Sequence, residues 1–242
     1  METVLAFENV YAGYGRTNVL DGLSFTMEKG RVFGVIGPNG SGKTTMLNAL
    51  AGLIRPTKGR ILFSGKDITR LAPDARCRMG IGRTFQIPRP FGRMTVFENV
   101  LTAAVFGAGL PESEGGRAAM RALRITDLMD KAEALSDSLT LLDRKRLEIA
   151  RALGMSPALL LLDEVAAGLT SLEVQAVMAL VKRLKEEGSS IIWIEHVMEA
   201  MMGAADQLMC VAEGRCLALG DPEAVLSSRA VKQIYLGVER HA

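Results

Sequence analysis

Residues 37–44 read Gly-Pro-Asn-Gly-Ser-Gly-Lys-Thr and fit the pattern G-x-x-x-x-G-K-[ST]. Glycines at Gly37, Gly40 and Gly42 let a backbone wrap closely around phosphate oxygens. The N–H groups of such a loop, with the N-terminus of the next helix, attract the phosphate charge. Lys43 is placed to reach the β- and γ-phosphates, and the Thr44 hydroxyl to coordinate Mg²⁺. Pro38, Asn39 and Ser41 fill out the loop. The chemistry implied is nucleotide binding. Further on, Leu159 to Leu162 run into Asp163-Glu164. A fully apolar run of this length reads as a buried strand delivering two carboxylates at its end, where open α/β sheets place ligands. Asp163 suits the outer shell of Mg²⁺, and Glu164 is positioned to polarise an attacking water. "IIWIEHV" repeats that geometry and sets His196 just past a strand. Alone, a histidine after a strand is usually structural, and Gln86 after "RTF" is equally ambiguous.

The elements that must hold these groups are legible from periodicity. "VLAFENVYAGYG", "VLDGLSFTM" and "GRILFSGKDI" are short, alternating or β-branched, and separated by glycine turns, so the first ~65 residues read as strand-rich. "RVFGVIGPNGSGKTTMLNALAGL" reads as strand, glycine loop and helix. Between about 87 and 140 the character changes: "IPRPFG" is a proline-broken loop, "TVFENVLTAAVFGAG" looks helical, and "LPESEGG" reads as a polar hinge before "RAAMRALRITDLMD". From 147 onward helices and strands alternate, which favours a parallel sheet with right-handed crossovers.

Composition bounds the rest. The 242-residue chain is 48% hydrophobic, enough for a real core. Its 29 basic and 27 acidic residues nearly cancel, which implies no broad nucleic-acid face. Cys77, Cys210 and Cys216 lack metal-ligand spacing and read as reduced thiols. Cys77 has basic neighbours, but an inert thiol is expected. No basic, apolar leader opens the sequence, and no run approaches the ~20 apolar residues of a membrane span. The expectation is a soluble subunit whose membrane part, if any, lies on another chain. "RPFGR" and "DRKR" read as solvated charge or partner contacts.

Together, "GPNGSGKTT", "RTFQ", "LLLLDE" and "IEH" resemble, in order and spacing, the Walker A, Q-loop, Walker B with catalytic glutamate, and switch histidine of the ATP-binding cassette of ABC transporters, over nearly the whole chain. The segments "GIGRTFQ", "MTVFENV", "RLEIARAL", "AAGL" and "IYLG" resemble the branched-chain amino acid importer cassettes within that family. Close relatives of those cassettes serve other amino acids, urea and aromatic acids, so a cassette for another small solute is the alternative. The resemblance implies an α/β P-loop NTPase fold: an N-terminal antiparallel β subdomain, a mostly parallel core sheet and an inserted α-helical subdomain. One cassette domain is expected over residues 1–242, with the ATPase core at about 1–86 and 147–242 and the helical subdomain at about 87–146. It implies ATP and Mg²⁺ as ligands. Tyr14 would stack on adenine, and Thr45 would join Gly37 to Thr44 at the phosphates. Glu164, His196 and Gln86 would be catalytic, with Thr44, Gln86 and Asp163 around Mg²⁺. The implied partners are a second cassette subunit, two transmembrane permease subunits and, indirectly, an extracytoplasmic solute-binding protein. Residues near Phe91–Asn99 would meet the membrane partner, at the cytoplasmic face of the inner membrane. A soluble repair or translation cassette would carry a coiled-coil insertion or two cassettes. A P-loop kinase would leave Gln86 and His196 unexplained.

One stretch departs from the resemblance. Where the family's signature turn reads LSGGQ and faces the partner's nucleotide, this chain reads Leu139-Thr140-Leu141-Leu142-Asp143. Leu142 adds bulk where a backbone N–H must approach phosphate, and Asp143 sets a negative charge at a helix N-terminus. The usual proline after the catalytic glutamate is Val165, and the usual D-loop aspartate is Thr170. The expectation is either a weakened half-site suited to a heterodimer, or a helix cap that closure tolerates.

Overall fold

The computed structural model describes residues 2–15 and 17–236. They form two compact units, residues 2–71 with 192–236, and residues 72–191. In chain order the first unit begins with β1 (Thr3–Tyr14), β2 (Thr17–Glu28), β3 (Val32–Ile36), α1 (Lys43–Leu50), β4 (Lys58–Phe63) and β5 (Lys66–Asp67). The second holds α2 (Pro73–Arg78), β6 (Ile81–Arg83), α3 (Val96–Thr102), α4 (Glu112–Ile125), α5 (Leu141–Gly154), β7 (Leu159–Asp163), α6 (Ser171–Glu186) and the start of β8 (Ser190–Ile194). The chain then returns to the first unit with α7 (Met198–Ala204), β9 (Gln207–Ala212), β10 (Arg215–Gly220), α8 (Pro222–Ser227) and α9 (Arg229–Leu236).

In the first unit β1 sits between β2 and β4 in an antiparallel sheet of order β2-β1-β4-β5. Alternation turns Phe7 and Phe25 to one face in register, where their rings stack at 4.7 Å and Phe25 continues to Phe33 of β3 at 5.1 Å. Strand β3 is buried at every position and pairs in parallel with β9, whose other edge carries antiparallel β10. Parallel pairing with both faces covered is what an apolar run with no alternation, such as β3, favours. Gly34 is needed in it: a Cβ there would lie 2.8 Å from both Leu208 Cδ1 and Met201 Sδ.

In the second unit β6 and β7 pair in parallel, with Ile81 opposite Leu159 and Arg83 opposite Leu161. Helices α3, α4 and α5 close over a shared core of Val96, Val100, Ala119, Leu123, Leu147 and Ala150. The crossing of α3 and α5 is close, since a Cβ on Gly154 would come within 2.8 Å of Val100 Cγ1. Helix α3 starts with a full capping box, Thr95 with Glu98, and runs into a π-helical turn at Ala103–Gly107. The buried Asn99 amide donates to the carbonyls of Phe91, Met94 and Thr95 and accepts from the Phe91 N–H, pinning the proline-broken loop.

One expectation fails here. "LPESEGG" is no hinge, because Glu112 to Gly116 form the opening turns of α4. Glu112 and Glu114 favour the positive end of that helix. Gly115 serves close packing: a Cβ would sit 2.9 Å from Val105 Cγ2. Among the described residues no helix is long and apolar enough to cross a membrane. Gly237 of the terminal "IYLG" lies outside the described residues.

Candidate functional site

The glycine loop leaves β3 and enters α1. Its backbone explains its composition. Gly40 and Gly42 take φ of 78° and 109°, in the left-handed region that favours glycine. Gly37 (φ 152°) has no room for a side chain: a Cβ would lie 2.1 Å from the Val211 carbonyl oxygen. Gly42 is the N-cap of α1 and supplies no side-chain cap, and the first turn carries no acidic residue. A glycine N-cap and a first turn without carboxylates therefore leave the positive end of that helix dipole to favour an anion. Lys43 is buried, and its ammonium donates to the carbonyls of Gly37 at 2.7 Å and Pro38 at 3.0 Å. Buried Ser41 Oγ has no hydrogen-bond partner among the described residues. A cradle of uncapped N–H groups with an unsatisfied hydroxyl fits a triphosphate. Thr44 is exposed and Thr45 buried.

Two further residues of this unit were singled out. Tyr14 ends β1 with its ring 56% exposed, and its hydroxyl accepts from Asn48 Nδ2 of α1 at 2.9 Å. An exposed ring with its edge held in place presents a flat face to a base. His196 lies exposed two residues past β8, and its backbone N–H donates to Glu195 Oε2 at 3.2 Å. Glu195 is buried and also accepts from Trp193 Nε1 at 3.3 Å, so this carboxylate sets the end of the strand. At the far C-terminus, Tyr235 of α9 accepts a hydrogen bond from the Gly37 backbone. Burial, with Cys210 nearby, pushes its phenol up to about 12.

In the second unit the end of β7 gathers the expected carboxylates. Asp163 is buried and paired with Arg83 at 3.1 Å, and its N–H donates to Thr84 Oγ1 at 3.2 Å. Glu164 follows at φ 48°, a left-handed conformation unusual for glutamate. The Gln86 side-chain amide donates to Glu164 Oε2, so the structure brings Gln86 and Glu164 together. Lys145 of α5 sits beneath both. It is buried, and its ammonium donates to the Gln86 carbonyl at 2.8 Å and the Glu164 carbonyl at 3.1 Å. This corrects the reading of "DRKR" as solvated charge. The signal was available, because Lys145 shares a helical stripe with the buried Ile149 and Ala152. Arg83, the buried partner of Asp163, was also passed over.

The unusual turn is built differently. Thr140 is the N-cap of α5: its hydroxyl accepts from the Asp143 N–H at 3.3 Å and donates to Asp143 Oδ2 at 2.9 Å. The Asp143 carboxylate is buried against Lys131 at 2.5 Å and Arg146 at 3.7 Å. No bare negative charge stands at this helix end, contrary to expectation, because the chain neutralises it locally. Leu142 is half-buried. Leu141 is 46% exposed and lies over Gly168, where a Cβ would be 3.5 Å from Leu141 Cδ2. Thr170 caps α6 in a second capping box with Glu173, and Val165 is fully buried.

No group of three or more His, Cys, Asp or Glu able to hold a metal occurs among the described residues. A Mg²⁺ that bridges phosphates needs only one or two protein carboxylates, and the buried Asp163 at the end of β7 is a carboxylate of that kind. Burial raises the Cys77 and Cys216 thiols and pushes Cys210 up to about 11, which disfavours the reactive thiolate.

Comparison with known proteins agrees with this geometry. The chain is 35% identical over 250 residues to a probable branched-chain amino acid transport ATP-binding protein, LivG, of Archaeoglobus fulgidus, covering 98% of this chain and 96% of that protein. It is 34% identical over 241 residues to a lipopolysaccharide export system ATP-binding protein, LptB, of Acidithiobacillus ferridurans, covering 98% of each. Among solved structures, one described as the ADP conformation of an ATP-binding cassette of an ABC transporter superposes with a TM-score of 0.90 at 32% identity. It covers 98% of this chain and 100% of that one. The family model described as ABC transporter matches residues 20–167, so the chain belongs to the ATP-binding cassettes of ABC transporters and is an ATPase.

Proposed function

We propose that this ATPase powers an importer for branched-chain or related amino acids, working through separate permease subunits. The observation that carries the solute class is full-length similarity to proteins named for that transport, including BraF of Pseudomonas aeruginosa at 34% identity over 249 residues. A second reading has its own support, since the lipopolysaccharide export protein is equally similar, which makes an exporter the principal competitor.

In the proposed cycle Tyr14 stacks on adenine. The backbone from Gly37 to Thr45, with Lys43, holds the triphosphate. Thr44, Asp163 and Gln86 are the groups that would hold Mg²⁺, which when bound neutralises charge on the β- and γ-phosphates. Glu164 accepts a proton from the attacking water, oriented by the Gln86 amide that already touches it. His196 stabilises the γ-phosphate charge as it develops. The face of the second unit that exposes Ile87, Phe91 and Met94 receives the permease, which places the chain peripherally at the cytoplasmic side of the inner membrane. A solute-binding protein would deliver cargo on the far side.

Thr140, Leu142 and Asp143 face the nucleotide of a second cassette. Thr140 and Asp143 already satisfy each other, so this turn offers a partner little, and we assign the working pair as a heterodimer whose other member carries the stronger turn. Gentle purification of the tagged chain from native membranes tests all of this. Two permeases, a different cassette and an amino-acid-binding protein are expected alongside it. Recovery with lipopolysaccharide-export components, or as a homodimer, overturns the solute class or the asymmetry respectively.

A further inference from the structure

Three charged side chains of α5 hold the segment that carries Gln86. Lys145 donates to the backbone carbonyls of Gln86 and Glu164. Three residues on, Glu148 is buried and accepts from the Arg89 N–H at 3.0 Å. Arg151 donates to the Arg89 carbonyl at 3.0 Å and to Glu148 at 2.8 Å, with its guanidinium 5.1 Å from the centre of the Phe91 ring. Positions 145, 148 and 151 share one side of the helix. The opposite side, through Leu147 and Ala150, is fixed in the core with α3 and α4.

These contacts differ in kind. Glu148 and Arg151 hold the loop near Arg89. Lys145 alone reaches both the residue that orients the water and the residue proposed to activate it. It does so through their main chains and not through their side chains. It grips Glu164 where the backbone is left-handed, and the same carbonyl also accepts from the Ala167 N–H at 3.2 Å. An ammonium has three donors and no acceptor, so Lys145 can serve both carbonyls at once, that of Glu164 in addition to its bond from Ala167. Lys145 also lies two residues after Asp143, at the start of the helix whose first turn faces the second cassette in the proposed assembly.

We propose that Lys145 is a positioning residue for hydrolysis: it registers Gln86 against Glu164 and ties both to α5, so that displacement of the 139–143 turn is felt at the chain's own hydrolytic carboxylate. This rests on the assignment of Glu164 and Gln86 above. It adds a residue and a route of communication that the assignment does not contain. Because the Lys145 ammonium is engaged by two main-chain carbonyls, its removal should change turnover and leave ATP affinity intact. A 1 Å misplacement of a reacting group is enough to lower a rate about 100-fold.

The test uses the full chain. In Lys145→Met, kcat for ATP hydrolysis is expected to fall roughly 10- to 100-fold, while the Kd for Mg·ATP stays within about threefold of wild type. Amide exchange is expected to accelerate at residues 84–91 and 164–168 and not along α6. Lys145→Arg, which keeps a cation with donors for both carbonyls, should recover most of the loss. If the Met variant does not fold, Lys145→Gln, with one donor group, is measured in its place and should show the same split. An unchanged kcat overturns the proposal. So does a parallel loss of kcat, ATP affinity and Tm with exchange raised throughout, which is the pattern of a merely structural lysine. A wild-type chain without ATPase activity would instead sink the assignment of Glu164 on which the proposal rests.

Discussion

Two turns in this protein open helices of the same handedness and polarity, yet only one is built to receive an anion. At residues 37–43 the helix starts from a glycine with no side-chain cap and no acidic residue in its first turn. At residues 140–143 the helix starts from a threonine that caps it, and an aspartate sits in the first turn. The first presents the positive end of its helix dipole with neither a side-chain cap nor a competing carboxylate. The second closes on itself, and Lys131 and Arg146 then neutralise the aspartate. A helix N-terminus is therefore an anion site only when the chain leaves it open.

The largest effect that sharpens this contrast is chemical. Glu164→Gln should reduce ATP turnover on the order of 1,000-fold while Mg·ATP still binds, measured by phosphate release against nucleotide titration. Loss of both together would move Glu164 out of the chemistry. Next is backbone geometry. Gly42→Ala forces an L-residue to φ 109°, with its Cβ 3.0 Å from Leu20 Cδ2, and should cost about 1–2 kcal/mol in chemical denaturation and weaken nucleotide binding as well. Asp143→Ala should cost stability by a comparable amount, about 1 kcal/mol, yet leave this chain's own nucleotide affinity unchanged. If Asp143→Ala changed that affinity, the two turns would not be separable.

The smallest effect concerns pH. Asp127 accepts two hydrogen bonds from Arg183, and Arg146 lies between Asp127 at 3.9 Å and Asp143 at 3.7 Å. The Arg183 hydrogen bond, and then the Arg183 and Arg146 charges, hold the Asp127 carboxyl below its ordinary value. A depressed folded-state pKa contributes stability that is present above the unfolded value, about 3.9, and lost as pH falls through the folded one. Both partners are near half exposed, so the contribution is below about 1 kcal/mol. The Tm difference between wild type and Arg183→Ala should be constant from pH 7 to 5 and vanish in stronger acid. A difference that grew on acidification would reverse the sign of this interaction.

The open turn was legible in the sequence because its chemistry constrains each residue type. Glycines take up left-handed or crowded backbone, and the lysine closes the pattern. The apolar run before Asp163 was legible for the same reason, since Leu159 to Leu162 are all buried. The closed turn was half legible. Thr140 as a cap was within reach, but Lys131 lies twelve residues before Asp143, and only tertiary structure joins them. Lys145 was misread because a charge run normally marks a solvated face, and nothing local announces that its ammonium bonds the main-chain carbonyls of Gln86 and Glu164. The start of α4 was misread because Gly115 and Gly116 suggest a hinge, whereas Gly115 answers to close packing against Val105. The recurring cause is that long-range partners decide the fate of polar and glycine residues.

The most direct test of the contrast is a calorimetric titration of the purified chain with Mg·ATP, comparing wild type, Lys43→Ala and a variant whose residues 140–143 read Ser-Gly-Gly-Gln. One nucleotide per chain is expected for wild type and for the altered turn with similar affinity, with binding weakened at least about tenfold in Lys43→Ala. Undiminished binding by Lys43→Ala, or a second nucleotide taken up by wild-type chain at the 140–143 turn, would contradict the account.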